Sequence, residues 1–378
     1  MSKPNEARLI IAASETDADL YYATNFSAPD RFIFLQTQTE KLMLLSDLEI
    51  DRAKSQSRVD QVLSYSHYLS RAKSAGIESP TQLDVLCQLL GEKNIQKLHV
   101  PRTFPVAFAD SLREKGFELT FPEDVYWAER EIKTTEEIAA IRETQQHTET
   151  AMDAAIDLIR QSEIQNNALY INGHALTSEM VKHRILTILL ERECSATHTI
   201  VACGDQACDP HNEGSGPLLA HQPIIIDIFP HNNHTGYFAD ITRTVVKGQP
   251  TQELQAIYDT VLEGQNIALK HIKEGADGKA IHQAIVDLFE SRDYETGEDN
   301  GRMQGYFHGT GHGIGLEIHE APSIGKREQI LRRGHVVTVE PGLYYPNRGA
   351  VRIEDLVVVT EQGCENLTTY PKSLQVDA

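Results

Sequence analysis

Apolar and polar positions alternate in two different rhythms along the chain. Between residues 8 and 120, "RLIIAA", "RFIFLQ" and "KLMLLS" predict strands, and "PTQLDVLCQLL" and "AFADSLREKG" predict helices. "KLHV" and "ELTF" predict two further short strands. The pattern is that of a small α/β domain, and its titratable residues show no convergent spacing. After "FPEDVYWAER", Thr134 or Thr135 followed by glutamates reads as a helix start. Ile138, Ile141, Met152, Ile156 and Ile159 then fall near one face. Helical periodicity covers 134–162, 176–193, 251–273 and 278–292, whereas strand pattern dominates 198–247 and 306–360. Two strand-rich blocks separated by helices predict an α+β domain with a substantial antiparallel sheet. The division expected is an α/β domain over 1–128 and an α+β domain over 129–378.

Length supports two domains, because 378 residues exceed the size at which one core stops growing. A formal charge of −20 argues against nucleic acid or an anionic membrane as the main partner. The first apolar run, Leu9 to Ala13, is too short for a signal segment or a membrane span, and no later run is long enough. The five cysteines (Cys87, Cys194, Cys203, Cys208, Cys364) are odd in number and scattered, which predicts free thiols and a cytoplasmic location. "CGDQACDPH" could be drawn as half of a zinc site, but no second pair at finger spacing follows.

Chemistry concentrates in the strand-rich blocks. In "PIIIDIFPHNNHTGYFADITRTVV", Asp227 ends one apolar run and Asp240 begins the next, so a hairpin brings the two carboxylates together. Two buried like charges repel unless a cation sits between them. "HVVTVEPGLYYP" and "AVRIEDLVVVT" place Glu340 and Glu354 in apolar surroundings, where an unpaired carboxylate is costly. Arg352, two residues before Glu354, is expected on the same strand face as its ion partner.

"HGTGHGIGLEIHEAP" adds three histidines. His308 and His312 have the i, i+4 spacing of helical zinc proteases, but Gly309 replaces the glutamate that motif needs. Its other glycines would each weaken a helix by roughly 1 kcal/mol. An extended Gly-rich stretch and turn is the better reading, with "LEIHEA" following as a strand. Asp227, Asp240, Glu340, Glu354 and one histidine of this stretch form a donor set suited to two oxygen-bridged divalent ions. Manganese is the first choice, with cobalt, zinc or iron able to substitute.

The ordered set "ADITRT", "HGTGHGIGLEIHE", "TVEPGLYY" and "RIEDLVVVT", preceded by Asp227, resembles the Xaa-Pro peptidase branch of the methionine aminopeptidase-like metallopeptidases, the pita-bread family. "DADLYYATNFSAPDRFIFLQ" resembles the N-terminal domain of prolidases, aminopeptidases P and creatinases. The resemblance implies a pita-bread catalytic domain behind a smaller creatinase/prolidase-type α/β domain. By position it makes Asp227 a chelating ligand, Asp240 and Glu354 bridging carboxylates, and His312 and Glu340 ligands of the second ion. It implies that a metal-activated water attacks the scissile carbonyl, with Glu340 carrying the proton. His319 would stabilise the developing oxyanion, His308 would line the same pocket, and His211 would lie near the residue after the cut bond. Arg352 resembles the family arginine that orients ligand carboxylates beside the bound substrate.

The implied substrates are Xaa-Pro dipeptides or short peptides with proline second, and relatives are commonly homodimers. The fourteen-residue interval between Glu340 and Glu354 resembles compact microbial prolidases and favours dipeptides over the longer peptides of an aminopeptidase P. The sequence departs from the family at Ile228–Phe229 and in a longer turn, "PHNNH", whose His231 and His234 read as solvated. A metal-free creatinase-like hydrolase and a binding protein with a vestigial site are the alternatives. Both sit poorly with retention of all five ligands.

Overall fold

The computed structural model describes residues 5–122 and 126–376, which fall into two compact units, Met1–Arg130 and Glu131–Ala378. The first unit is built on a six-stranded sheet of β1 (Asn5–Ala12), β2 (Phe32–Gln36), β3 (Lys41–Leu45), β4 (Gln61–Ser64), β5 (Ile95–His99) and β6 (Glu118–Thr120). Their order is β4-β3-β2-β1-β5-β6. β1–β2 and β2–β3 are antiparallel, and the other pairs are parallel. Alternation divides the strands between two cores: Leu9, Ile11, Ile33, Leu35, Leu42 and Leu44 face one way, and Ile10, Phe32, Phe34, Met43 and Leu45 the other. Helices Gln82–Glu92 and Val106–Glu114 form where predicted. Helices Ala18–Thr24, Ile50–Gln56 and Tyr65–Ser74 were not evident from periodicity, because elements this short carry little amphipathic contrast.

The second unit opens with a helix over Thr135–Arg160, capped by Thr134, whose hydroxyl and Glu137 form a reciprocal capping box. This helix and Ser178–Leu190 pack on a three-stranded antiparallel sheet of Ile200–Cys203, Ile224–Ile228 and Ile241–Val245. Helices Gln252–His271 and Gly278–Ser291 pack on a five-stranded sheet ordered Glu320–Ile324, Gly311–Gly313, Val336–Val339, Asp355–Val359 and Cys364–Asn366. Gly342–Tyr345 and Gly349–Arg352 form a separate hairpin, which connects Val336–Val339 to Asp355–Val359 along the chain.

Strand alternation positions the chemistry. Ile224, Ile226 and Ile228 turn to the helices, so Ile225 and Asp227 turn to the opposite face. Val337 and Val339 enter the helical core likewise, which leaves Thr338 and Glu340 on the other side.

Two expectations change. "LEIHEA" does not form one strand: residues 315–319 bend, and the strand starts at Glu320. His231 is not a solvated turn residue. It is half-buried, pairs with Ser195 in a short antiparallel bridge and packs its ring 5.0 Å from that of Phe238, whereas His234 is exposed. The longer turn therefore docks on a neighbouring segment.

The glycine run is explained by strand crowding. Gly311–Gly313 runs between two strands, and a Cβ at Gly311 would lie 1.9 Å from the Thr338 carbonyl oxygen. Backbone cannot yield as a flexible side chain can. We expect Gly311→Ala to lower stability by about 3 kcal/mol, the upper part of the overpacking range, seen as a lower urea midpoint with unchanged slope. A midpoint equal to the parent's would contradict this packing.

Candidate metal centre

The loops and strand ends of both sheets bring the predicted acids together. Asp240, immediately before the Ile241–Val245 strand, His312 in the Gly311–Gly313 strand, and Glu354 each offer one ligand atom, and these atoms lie within 4.8 Å of one another. His312 Nε2 also lies 3.6 Å from Glu340 Oε1 and 3.7 Å from Asp240 Oδ2. Its backbone N–H donates to the Thr338 hydroxyl at 3.1 Å, and its Nδ1 faces the Gly313 carbonyl at 3.1 Å. With Nδ1 so engaged, Nε2 presents a lone pair to the carboxylates.

Asp227 approaches from the neighbouring strand, in a register that sets it opposite Thr242. Its Oδ2 accepts from Arg352 Nη2 at 2.7 Å, and its other oxygen, Oδ1, is buried without a hydrogen-bond partner among the described residues. Asp240 Oδ1 is orphaned in the same way. Buried carboxylate oxygens are rarely left unsatisfied, so this pair marks a place for a cation.

The charges agree. Burial, then the nearby Glu354, Asp227 and Glu340, push the Asp240 carboxyl well above its ordinary range. Burial raises Glu340 to about 7, opposed by the Arg352 guanidinium. Glu354 is raised by burial and by Glu340 and Asp227. The donors are mostly carboxylate with one imidazole, a set that suits a hard or borderline divalent ion.

Arg352 corrects one expectation. Its strand ends at Arg352 and the next begins at Asp355, so Arg352 and Glu354 do not share a strand face. The ion partner of Arg352 is Asp227, with further donation to the Tyr344 hydroxyl at 2.9 Å and the Thr242 hydroxyl at 3.2 Å. Glu354 is held instead by the Thr242 hydroxyl at 2.8 Å.

The remaining histidines separate by environment. His308 Nδ1 donates to the Gly309 carbonyl at 2.8 Å, and Nε2 accepts from Tyr344 O–H at 2.9 Å. Burial, with Arg352 nearby, depresses its pKa to about 3, so it is neutral at physiological pH. His319 is exposed, and its ring stands edge-on to that of His312 with centroids 4.4 Å apart. His211 is also exposed.

Three supporting residues escaped sequence reasoning: Thr242, Tyr344 and Arg243. Arg243 is buried and donates to the carbonyls of Thr242, Glu354, Tyr370 and Pro371 and to Asp355. An arginine inside the apolar alternation of "DITRTVV" was the available signal, because a buried guanidinium must find partners for all five donors.

The family model for metallopeptidase family M24 matches residues 139–361. The chain belongs to metallopeptidase family M24. Its second unit has the pita-bread fold, and the protein is a peptidase whose family uses divalent metal. An Xaa-Pro dipeptidase from Pyrococcus furiosus is 29% identical over 361 residues, covering 94% of this chain and 92% of that protein. An X-Pro aminopeptidase from Thermotoga maritima MSB8 superposes with a TM-score of 0.82 at 26% identity, covering 98% of this chain and 97% of that one. The prolidase from Pyrococcus horikoshii OT3 gives 0.80 at 26% identity, covering 98% and 95%. All five cysteines are free, and among the described residues no helix is long and apolar enough to cross a membrane.

The raised carboxyls make the metal-free M24 chain pH-sensitive. Folded Asp240, Glu340 and Glu354 retain protons that the unfolded chain has released, so their stabilisation is complete below the ordinary carboxylate range and is lost as pH rises through the raised values. Buried His308 opposes this only below about pH 6.5, above which histidine is neutral in both states. We expect the melting temperature of chelator-treated protein to fall between about pH 6.5 and about pH 8, and a divalent cation to restore it at the upper end. A flat profile, or no response to the cation, would contradict the reading.

Proposed function

We propose that this M24 peptidase removes the residue preceding a proline, with Xaa-Pro dipeptides as its preferred substrates. Two divalent ions, manganese first among them, are held by Asp227, Asp240, His312, Glu340 and Glu354. The observation that carries the proposal is the meeting of Asp240, His312 and Glu354 beside two orphaned, buried aspartate oxygens. When bound, the ions supply Lewis-acid activation of water and of the scissile carbonyl.

The chain's own groups supply the remainder. Glu340, whose carboxylate lies 3.6 Å from His312 Nε2, takes a proton from the attacking water and passes it to the leaving nitrogen. His319, exposed beside His312, donates to the developing oxyanion. His211 borders the leaving residue. Neutral His308 and Tyr344 act through Arg352, whose donors hold Asp227 in place. Arg352 thus serves the ligand set more than the substrate.

A proline in second position makes the scissile amide tertiary, with no N–H to pair and a ring on the leaving nitrogen. The dipeptide preference rests on the relative from Pyrococcus furiosus and on the short interval between Glu340 and Glu354. The second reading, action on longer peptides, draws on the TM-score of 0.82 with the Thermotoga maritima X-Pro aminopeptidase.

Hydrolysis of Xaa-Pro, Xaa-Pro-Yaa and Xaa-Ala under identical metal loading tests the preference. We expect kcat/KM to rank Xaa-Pro first and Xaa-Ala last, and equal or faster cleavage of Xaa-Pro-Yaa would favour the second reading. His312→Ala should bind less metal and lose about 100-fold or more in kcat/KM, since even outer partners of metal sites act on the 10- to 100-fold scale. An enzyme fully active after thorough chelation would overturn the metal-dependent mechanism.

A further inference from the structure

The loop that carries His319 is wound around a buried ion pair outside the ligand set. Lys133, the residue before the helix cap Thr134, donates from Nζ to Glu320 Oε2 at 2.9 Å. The two side chains are only 2% and 7% exposed. The second Glu320 oxygen, Oε1, accepts the backbone N–H of Glu317 at 3.1 Å. Gly315 presses on the same carboxylate, since a Cβ there would lie 2.7 Å from Oε2. The Gly315 carbonyl in turn accepts the Phe238 N–H at 2.8 Å, two residues before Asp240. Lys133 is fixed from its own side by N–H donation to the Gly334 carbonyl at 2.9 Å.

We infer that Lys133 and Glu320 are positioning residues that set the pose of the His319 imidazole toward the substrate. His319 adjoins Glu320 in sequence, and residues 315–319 bend around the Glu320 carboxylate. That carboxylate is buried, so it keeps its charge and its place only while a cation faces it. His312 has anchors outside this loop in the Thr338 hydroxyl and the Val336–Val339 strand, so the pair governs His319 more than metal affinity. The inference rests on the proposed contact of His319 with the scissile carbonyl.

A double-mutant cycle of Lys133→Met and His319→Ala tests it, with kcat, KM and manganese affinity measured for each protein. Lys133→Met should lower kcat about 10- to 100-fold, the scale of a small misplacement of a catalytic group, with KM and metal affinity little changed. In the His319→Ala background the same substitution should cost little further, because its effect passes through the missing imidazole. Lys133→Arg should restore part of kcat. Histidine-selective NMR of the zinc-loaded, substrate-free protein should show a shifted His319 resonance in Lys133→Met, independent of turnover.

Equal losses from Lys133→Met with and without His319 would overturn the inference, as would an unmoved His319 resonance. If His319→Ala alone leaves kcat intact, the oxyanion role fails instead, and the two failures are distinguished. Should Lys133→Met not fold, Glu320→Gln replaces it, since the amide keeps the acceptor for Glu317 and loses only charge. If neither folds, the pair is a purely structural element and the inference is wrong.

Discussion

Repulsion among converging carboxylates is the constraint around which the second unit is organised. Glu354, Asp227 and Glu340 raise the Asp240 carboxyl, and Glu340 and Asp227 raise that of Glu354, in a region from which water is largely withdrawn. A desolvated, uncompensated carboxylate costs several kcal/mol, so the arrangement needs positive charge at its centre and rigid support at its edges. The proposed metal meets the first need. The protein meets the second with hydroxyls and two buried guanidinium groups.

These supports come from alternating positions of the strands that bear the acids. Thr242 and Thr244 follow Asp240 at steps of two, and their hydroxyls donate to Glu354 and to the Arg352 carbonyl. Arg352 faces the site and holds Asp227, while Arg243 faces away and joins its strand to Glu354 and Asp355. The two arginines thus meet the Ile241–Val245 strand from opposite faces. His308 and Tyr344 complete the inner face through a hydrogen-bond chain that ends at Asp227. Each donor along that chain has an acceptor, as a buried polar network requires.

Much of this was legible because burial leaves a pattern. Long helices such as Thr135–Arg160 and Gln252–His271 repeat their apolar positions over several turns, and strands such as Ile224–Ile228 are continuous apolar runs. An acid interrupting such a run is conspicuous, so Asp227, Glu340 and Glu354 could be named before any contact was known. The partner of Arg352 was not legible in the same way. A break in the strand at Ile353–Glu354 moves Glu354 off the strand of Arg352, and a two-residue spacing implies a shared face only within one continuous strand.

The sequence by itself determined which residues are candidates for the chemistry, because acids, histidines and glycines stand out against apolar alternation. It also determined the class of both units and the extended form of the glycine run around His312. Only the tertiary structure decided who meets whom: Arg352 with Asp227, Thr242 with Glu354, His308 with Tyr344, and Lys133 with Glu320 across 187 positions of chain. The physical reason is that burial and periodicity are properties of one segment, written locally. Pairing between segments is set by how separate sheets and loops pack, and no local pattern records it.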